Sequence, residues 1–326
     1  MLQGWPTHRW PGSPVIDVQH LSKSYGGTHA VRDLSFSVAR GEVLGLLGPN
    51  GAGKSTTMRI ITGYLRPTSG TVRVAGTVVD DSDVFKQSIG YLPEFSPLYG
   101  DMIVYDLLQF AAAAHGVPRP ERRDRFRRLS SQCGLETLMH RPFDQLSRGY
   151  KQRAGLAYAL VGDPEILILD EPTSGLDPNQ IVEIRSVIKE IGQSRTVIFS
   201  THILAEAEST CDRIVIINDG RLVADGTADQ VKDAAAPGMA IRVTLRGTSA
   251  AEATAAFEQL GPVDRVLVDD ANQESGEVSL LLACRSDVRE AVPVLLAPRG
   301  WTLLEMTRAT ESLEEVFQRL TQKRPR

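Results

Sequence analysis

Apolar and polar positions alternate along "VIDVQHLSKSY" and "AVRDLSFSVAR", the two-residue period of half-buried strands. "EVLGLLG" replaces alternation with a short apolar run, as in a strand covered on both faces. A glycine-rich turn follows, and then "KSTTMRIITGYL", whose apolar residues recur at helical spacing. "GTVRVAG" reads as a further strand. From 101 to about 163 the pattern is mostly helical, through "DLLQFAAAAHG", an arginine-dense segment from Arg119 to Arg128, and "KQRAGLAYALVG". Buried-strand character returns in "EILILD". After it come a helix around 179–191, "TVIFSTH", a helix beyond Ile203, and "RIVIIN" with "GRLVADG". Strands alternating with helices predict a mostly parallel α/β sheet, with the helical middle inserted into it.

Composition changes at "VKDAAAPGMA". Beyond it the pattern predicts strand 241–246, helix 251–260, strand 263–268, strand 277–283, helix 287–296, strand 301–307 and helix 311–322. That β-α-β-β-α-β order is the ferredoxin-like α+β arrangement with one extra helix. The last helix places Leu313, Val316, Phe317 and Leu320 on one face, so it should dock on something. The expected division is a loose extension over 1–14, a main domain over 15–235 and an accessory domain over 239–324.

The chain has 326 residues, enough for two domains. A hydrophobic content of 42% with 23% charged residues is that of a globular protein, and a net charge of −4 argues against nucleic acid as a partner. Three scattered cysteines show neither metal spacing nor a disulfide framework, so reduced cytosolic thiols are expected. No apolar stretch approaches the ~20 residues that span a bilayer. Work at a membrane would therefore go through partners.

Chemistry enters at 48–56, "GPNGAGKST", which fits G-x-x-x-x-G-K-[ST] between an expected strand and an expected helix. Gly48, Gly51 and Gly53, with Asn50 and Ala52 between them, let the backbone curl and turn its N–H groups inward. The following helix points its positive end at the same place. Lys54 supplies a charge for terminal phosphates, Ser55 a hydroxyl for Mg²⁺, and Thr56 a further donor.

The apolar run "ILILDE" brings Asp170 to the carboxyl end of the sheet, where ligands bind in such folds. Asp170 is expected to hold Mg²⁺ and Glu171 to orient or deprotonate an attacking water. Alone, such an acid pair also suits a solvated turn. His202 follows "TVIFST" and can donate to a phosphate, although a lone histidine is usually structural. Tyr25 could stack a purine or be an ordinary loop aromatic. "LSRGYKQR" is a helix start, with Ser147 suited to cap it and a free N-terminus that attracts anions. The interleaved acids of "RPERRDRFRR" favour a solvated helix face over a lipid or partner contact.

The order Tyr25, "GPNGAGKST", "YLPE", "LSRGYKQR", "ILILDEP", "SGLD", "STH" closely resembles the nucleotide-binding subunits of ABC transporters over about 15–235. "GPNGAGKSTTMRIITGYL", "IGYLPEFSPLYGDM" and "DEPTSGLDPNQIVEIR" are most similar to ATPase subunits of ABC-2-type exporters, in the gliding-motility-associated branch. The resemblance implies a P-loop NTPase fold, with a mostly parallel core sheet, an antiparallel β subdomain and an inserted helical subdomain. It implies an ATPase using ATP and Mg²⁺, placed at the inner face of the cell membrane by separate transmembrane permease subunits. It also implies a dimer, most simply of identical chains, in which each ATP lies between one phosphate loop and the other chain's signature. Carried over, Ser147 and Gly149 contact the γ-phosphate held by the second chain's Lys54. Asp177 lies at the dimer seam, and His202 senses the γ-phosphate.

Two motifs depart from the family pattern. The signature reads "LSRGY" where Leu-Ser-Gly-Gly-Gln is usual, which brings in Arg148 and Tyr150. Glu94 replaces the usual glutamine in "YLPE". A carboxylate there can reach Mg²⁺ or its water, but when ionised it cannot donate a hydrogen bond. Glu94 and "FSPLYGDM" form the expected coupling region to the membrane subunits. The alternative reading is a soluble ABC ATPase acting on ribosomes or DNA. A non-enzymatic, nucleotide-gated binding subunit ranks below both, because Lys54, Asp170 and Glu171 are all present. The stretch from Thr56 to Leu146 is too short for a long coiled-coil arm, and the acidic balance disfavours nucleic acid.

Overall fold

A computed structural model describes residues 14–79, 84–95, 97–235, 239–272, 277–309 and 313–321. The extension expected over 1–14 thus lies, but for its last residue, outside the described residues. By compactness the chain divides into one unit up to Ala228, with the stretch from Leu320, and a second over Asp229–Arg319.

In the first unit β1 (Ile16–Tyr25), β2 (Thr28–Val38) and β3 (Val43–Leu47) precede α1 (Lys54–Ile61). Next come β4 (Ser69–Val74), β5 (Thr77–Val78) and β6 (Ile89–Leu92). The helical stretch is α2 (Val104–Ala114), α3 (Arg119–Gln132) and α4 (Arg148–Leu160). The chain returns through β7 (Ile166–Leu169), α5 (Pro178–Gly192), β8 (Thr196–Thr201), α6 (Leu204–Thr210), β9 (Arg213–Asn218) and β10 (Arg221–Gly226).

Two sheets form. The alternating strands make an antiparallel one in the order β2-β1-β4-β5. The apolar runs make a six-stranded sheet in the order β10-β9-β3-β8-β7-β6, parallel except where β10 returns along β9. β7 shows why its strands read as unbroken apolar runs. Ile166 and Ile168 pack toward α1 and the antiparallel sheet, while Leu167 and Leu169 pack toward α2, α4 and α5. All four are fully buried.

Three details differ from the sequence pattern. β6 carries too short an apolar run to show a period, and becomes a strand because Ile89–Leu92 pairs in register with Ile166–Leu169. In the arginine-dense α3, two side chains turn inward rather than facing solvent. Arg122 Nε donates to Val117 O (2.9 Å) and Arg125 Nη1 to Val161 O (2.9 Å), beside the buried Phe126 and Leu129. The helix beyond 287 starts later, at Ala291, because Asp287 Oδ1 accepts from the backbone N–H of Arg289 (3.0 Å) and holds that segment in a turn.

α7 (Ala228–Ala235) leads to the second unit. There β11 (Met239–Arg246), α8 (Ala250–Glu258), β12 (Val263–Asn272), β13 (Glu277–Cys284), α9 (Ala291–Leu296), β14 (Thr302–Ala309) and α10 (Leu313–Thr321) follow one another. The sheet order β12-β13-β11-β14, antiparallel throughout, is that of a ferredoxin-like α+β unit. Its core joins Ile241, Val243, Leu280 and Leu282 to Phe257 of α8 and Val292 of α9. Ser249 and Glu252 cap α8 reciprocally. The three cysteines are free, and burial raises the thiol of Cys133 to about 12.

Candidate functional site

The phosphate loop leaves β3 at Leu47 and enters α1 at Lys54. Two of its glycines are sterically required. Gly53 has φ 107°, and a Cβ there would stand 2.5 Å from the Ala30 carbonyl oxygen. A Cβ on Gly48 would stand 2.3 Å from the Ile217 carbonyl oxygen. Lys54 is buried, with Nζ donating to Gly48 O (2.7 Å) and lying 3.2 Å from Glu171 Oε1. The turn and the acid therefore aim one ammonium between them.

Parallel pairing of β7 with β8 brings Leu169 level with Phe199, and so the next residues, Asp170 and Ser200, side by side. Asp170 Oδ1 accepts from Ser55 Oγ (3.0 Å) and from Ser200 Oγ (2.7 Å). Its Oδ2 is buried and, among the described residues, has no hydrogen-bond partner. Ser200 Oγ also accepts from the backbone N–H of Glu171 (2.8 Å). Glu171 itself sits in the left-handed region at φ 49°, a strained conformation for this residue type. Its Oε2 lies 2.9 Å from Nδ1 of His202, whose ring remains half exposed.

Lys54, Ser55, Glu171 and His202 face a cleft of about 480 Å³ that Ala30, Asn50, Gly51, Ala52, Gly53, Thr56, Glu94 and Ser174 also line, while Asp170 and Ser200 are buried behind it. Backbone donors and one ammonium on one wall, with acids and a histidine on the other, suit a polyphosphate whose terminal bond is to be attacked by water. Tyr25 does not line the cleft. It ends β1 exposed, with Lys23 Nζ 5.3 Å from its ring centre.

Ser147, Gly149 and Asp177 form a separate cluster, none of them lining that cleft. Ser147 caps α4, and Asp177 caps α5 by accepting from the backbone N–H of Gln180 (3.0 Å). The two helix heads interlock. A Cβ on Gly149 would meet the Gln180 carboxamide at 2.8 Å, and one on Gly175 would meet the Arg148 guanidinium at 2.3 Å. Arg148 thus lies against the turn that carries Asp177.

Ser200, Gln180 and the contact of Arg148 with Gly175 are not legible from spacing. Their positions depend on strand pairing and helix packing. "FSTH" places two hydroxyls, Ser200 and Thr201, ahead of His202, and does not by itself tell which of them turns toward Asp170.

A family model described as ABC transporter matches residues 31–174. The ATP-binding protein YxlF of Bacillus subtilis is 32% identical over 93% of this chain and 98% of its own length. The chain belongs to the ABC transporter ATP-binding family. It binds ATP and is an ATPase of the P-loop class. The linearmycin resistance ATP-binding protein LnrL of Bacillus subtilis is 31% identical over 94% of this ABC ATPase and 98% of that protein. The probable multidrug ATP-binding protein YbhF of Escherichia coli is 40% identical over 68% of this chain, but only 39% of that longer protein is matched. Among solved structures, cbiO1 of Clostridium perfringens, part of the complex cbiONQ, superposes with TM-score 0.63 at 33% identity, over 68% of this chain and 91% of its own. The dimeric, post-hydrolysis MJ0796 bound to ADP and phosphate superposes with TM-score 0.59 at 25% identity, over 65% of this chain and 98% of its own.

Proposed function

We propose that this ABC ATPase powers an ABC-2-type exporter as a pair of identical subunits, acting through separate transmembrane permeases at the inner face of the membrane. The observation that carries the reading is the separation of Ser147, Gly149 and Asp177 from their own cleft. Ser147 and Gly149, at an anion-attracting helix head, serve the phosphate held by a second chain, with Asp177 at the seam. Among the described residues no helix is long and apolar enough to cross a membrane, in keeping with a separate permease.

Within each site the loop N–H groups and Lys54 hold the phosphates and Tyr25 stacks the adenine. Glu171 takes the proton of the attacking water, and His202 fixes Glu171 and donates to the γ-phosphate. Mg²⁺ fits the donor set, because Asp170 Oδ2, without a hydrogen-bond partner among the described residues, the Ser55 hydroxyl bonded to the same carboxylate, and Glu94 in the cleft that Ser55 lines are the hard oxygen ligands it takes. When bound, it neutralises charge on the β- and γ-phosphate oxygens.

Glu94 also opens the coupling segment. Beside it a groove of about 410 Å³ is lined by Tyr64, Tyr91, Pro93, Leu98 and Tyr158, with Phe95 and Tyr99 exposed nearby. Such an aromatic, partly apolar groove suits a short segment of a permease. The second unit stabilises the dimer or regulates it.

The test uses Glu171→Gln, which retains ATP without hydrolysing it. Light scattering should show an ATP-dependent dimer, and affinity capture from membranes should recover polytopic proteins. A monomer at saturating ATP, with or without those proteins, overturns the two-chain site. Capture of ribosomes or DNA instead overturns the exporter reading.

A further inference from the structure

The end of β8 presents three consecutive polar side chains. Ser200 and His202 serve Asp170 and Glu171, whereas Thr201 donates to Oε2 of Glu206 (2.7 Å). The same oxygen accepts from Thr173 Oγ1 (2.8 Å). All three members are buried, Glu206 to 1% exposure. Among the described residues Glu206 forms no ion pair, and its Oε1 has no hydrogen-bond partner. A carboxyl group in that setting is costly to bury, and an apolar side chain would fill the space with less desolvation.

What the carboxyl group joins gives it a use. Thr173 stands two residues after Glu171, and Thr201 one before His202. Thr201 Oγ1 also accepts from the backbone N–H of Ile203 (3.0 Å), so it pins the turn that leaves β8. Glu171 holds a left-handed backbone that persists only if its surroundings impose it. We propose that Glu206 is a positioning residue for ATP hydrolysis, its Oε2 binding the Glu171 turn to the His202 turn so that the two groups keep their 2.9 Å contact. Glu206 does not line the cleft. The proposal concerns groups within one chain and does not depend on how two chains pair.

The test compares Glu206→Ala and Glu206→Gln in the full chain, measuring kcat and KM for ATP, binding of a fluorescent ATP analogue, and the melting temperature. The glutamine carbonyl can accept from both hydroxyls, and alanine cannot. Glu206→Ala should lower kcat by about ten- to a hundredfold, the scale of a misplacement of about 1 Å, with KM and analogue affinity within about twofold. Glu206→Gln should restore most of the rate. Should Glu206→Ala not fold, Thr201→Val against Thr201→Ser makes the same comparison. Unchanged kcat in the alanine variant, or a loss that glutamine does not restore, overturns the proposal. So does a loss in which analogue binding falls in step with kcat.

Discussion

His202 Nδ1 lies 2.9 Å from Glu171 Oε2, joining the end of β8 to the turn after β7. Glu171 Oε1 is meanwhile 3.2 Å from Lys54 Nζ, so one carboxylate is held from both sides. Removing His202 frees one side of it. His202→Ala should lower kcat by about a hundredfold, while ATP binding, which rests on the loop and Lys54, changes little. Single-turnover hydrolysis beside nucleotide titration separates the two effects.

Glu171→Gln removes the proposed proton acceptor but keeps the side chain's shape. Steady-state hydrolysis should fall by about three orders of magnitude, within the range for losing a general base. Nucleotide retention, measured by filtration, should persist.

Arg148 and Gln180 offer a second pair. The guanidinium lies on Gly175 and the carboxamide on Gly149, away from the cleft. Arg148→Ala should therefore leave nucleotide binding by the isolated subunit unchanged and weaken the ATP-dependent dimer of the Glu171→Gln background by about tenfold. Sedimentation at a series of protein concentrations measures that shift. Gly175→Ala should do the same more strongly, since the new methyl meets the guanidinium at a backbone φ of 68°.

Glu42 is buried beside Arg213, which Asp225 also holds. Burial raises its carboxyl above the ordinary 4.5, against the pull of the Ala39 N–H and the Arg213 charge. The folded state therefore binds this proton more readily than the unfolded chain. Its contribution to stability is full below 4.5 and declines as pH rises through the folded value. Glu42→Gln should remove that decline, giving melting temperatures that change less with pH across this window than those of the wild type. Scanning calorimetry at a series of pH values reads the difference.

Much of this was legible along the chain, because the determining interactions are local. The turn "GPNGAGKST" needs its glycines where Gly48 and Gly53 meet backbone oxygens, and a buried strand such as "ILILD" must be apolar throughout because both faces are covered. The strand-to-helix order of the second unit was readable for the same reason. Four-residue β6, with no period of its own, was not.

The order of residues alone singles out Lys54, Ser55, Asp170, Glu171 and His202 as candidates for the chemistry, because each sits at or beside the end of an element that its neighbours specify. How they are held depends on contacts between positions far apart in the chain. Ser200 meets Asp170 because β7 and β8 pair in parallel, Arg148 meets Gly175 because α4 and α5 pack head to head, and Glu206 gathers Thr173 and Thr201 from two separate turns. Those contacts span distant positions in the chain, and the register and packing that create them leave no local pattern to read.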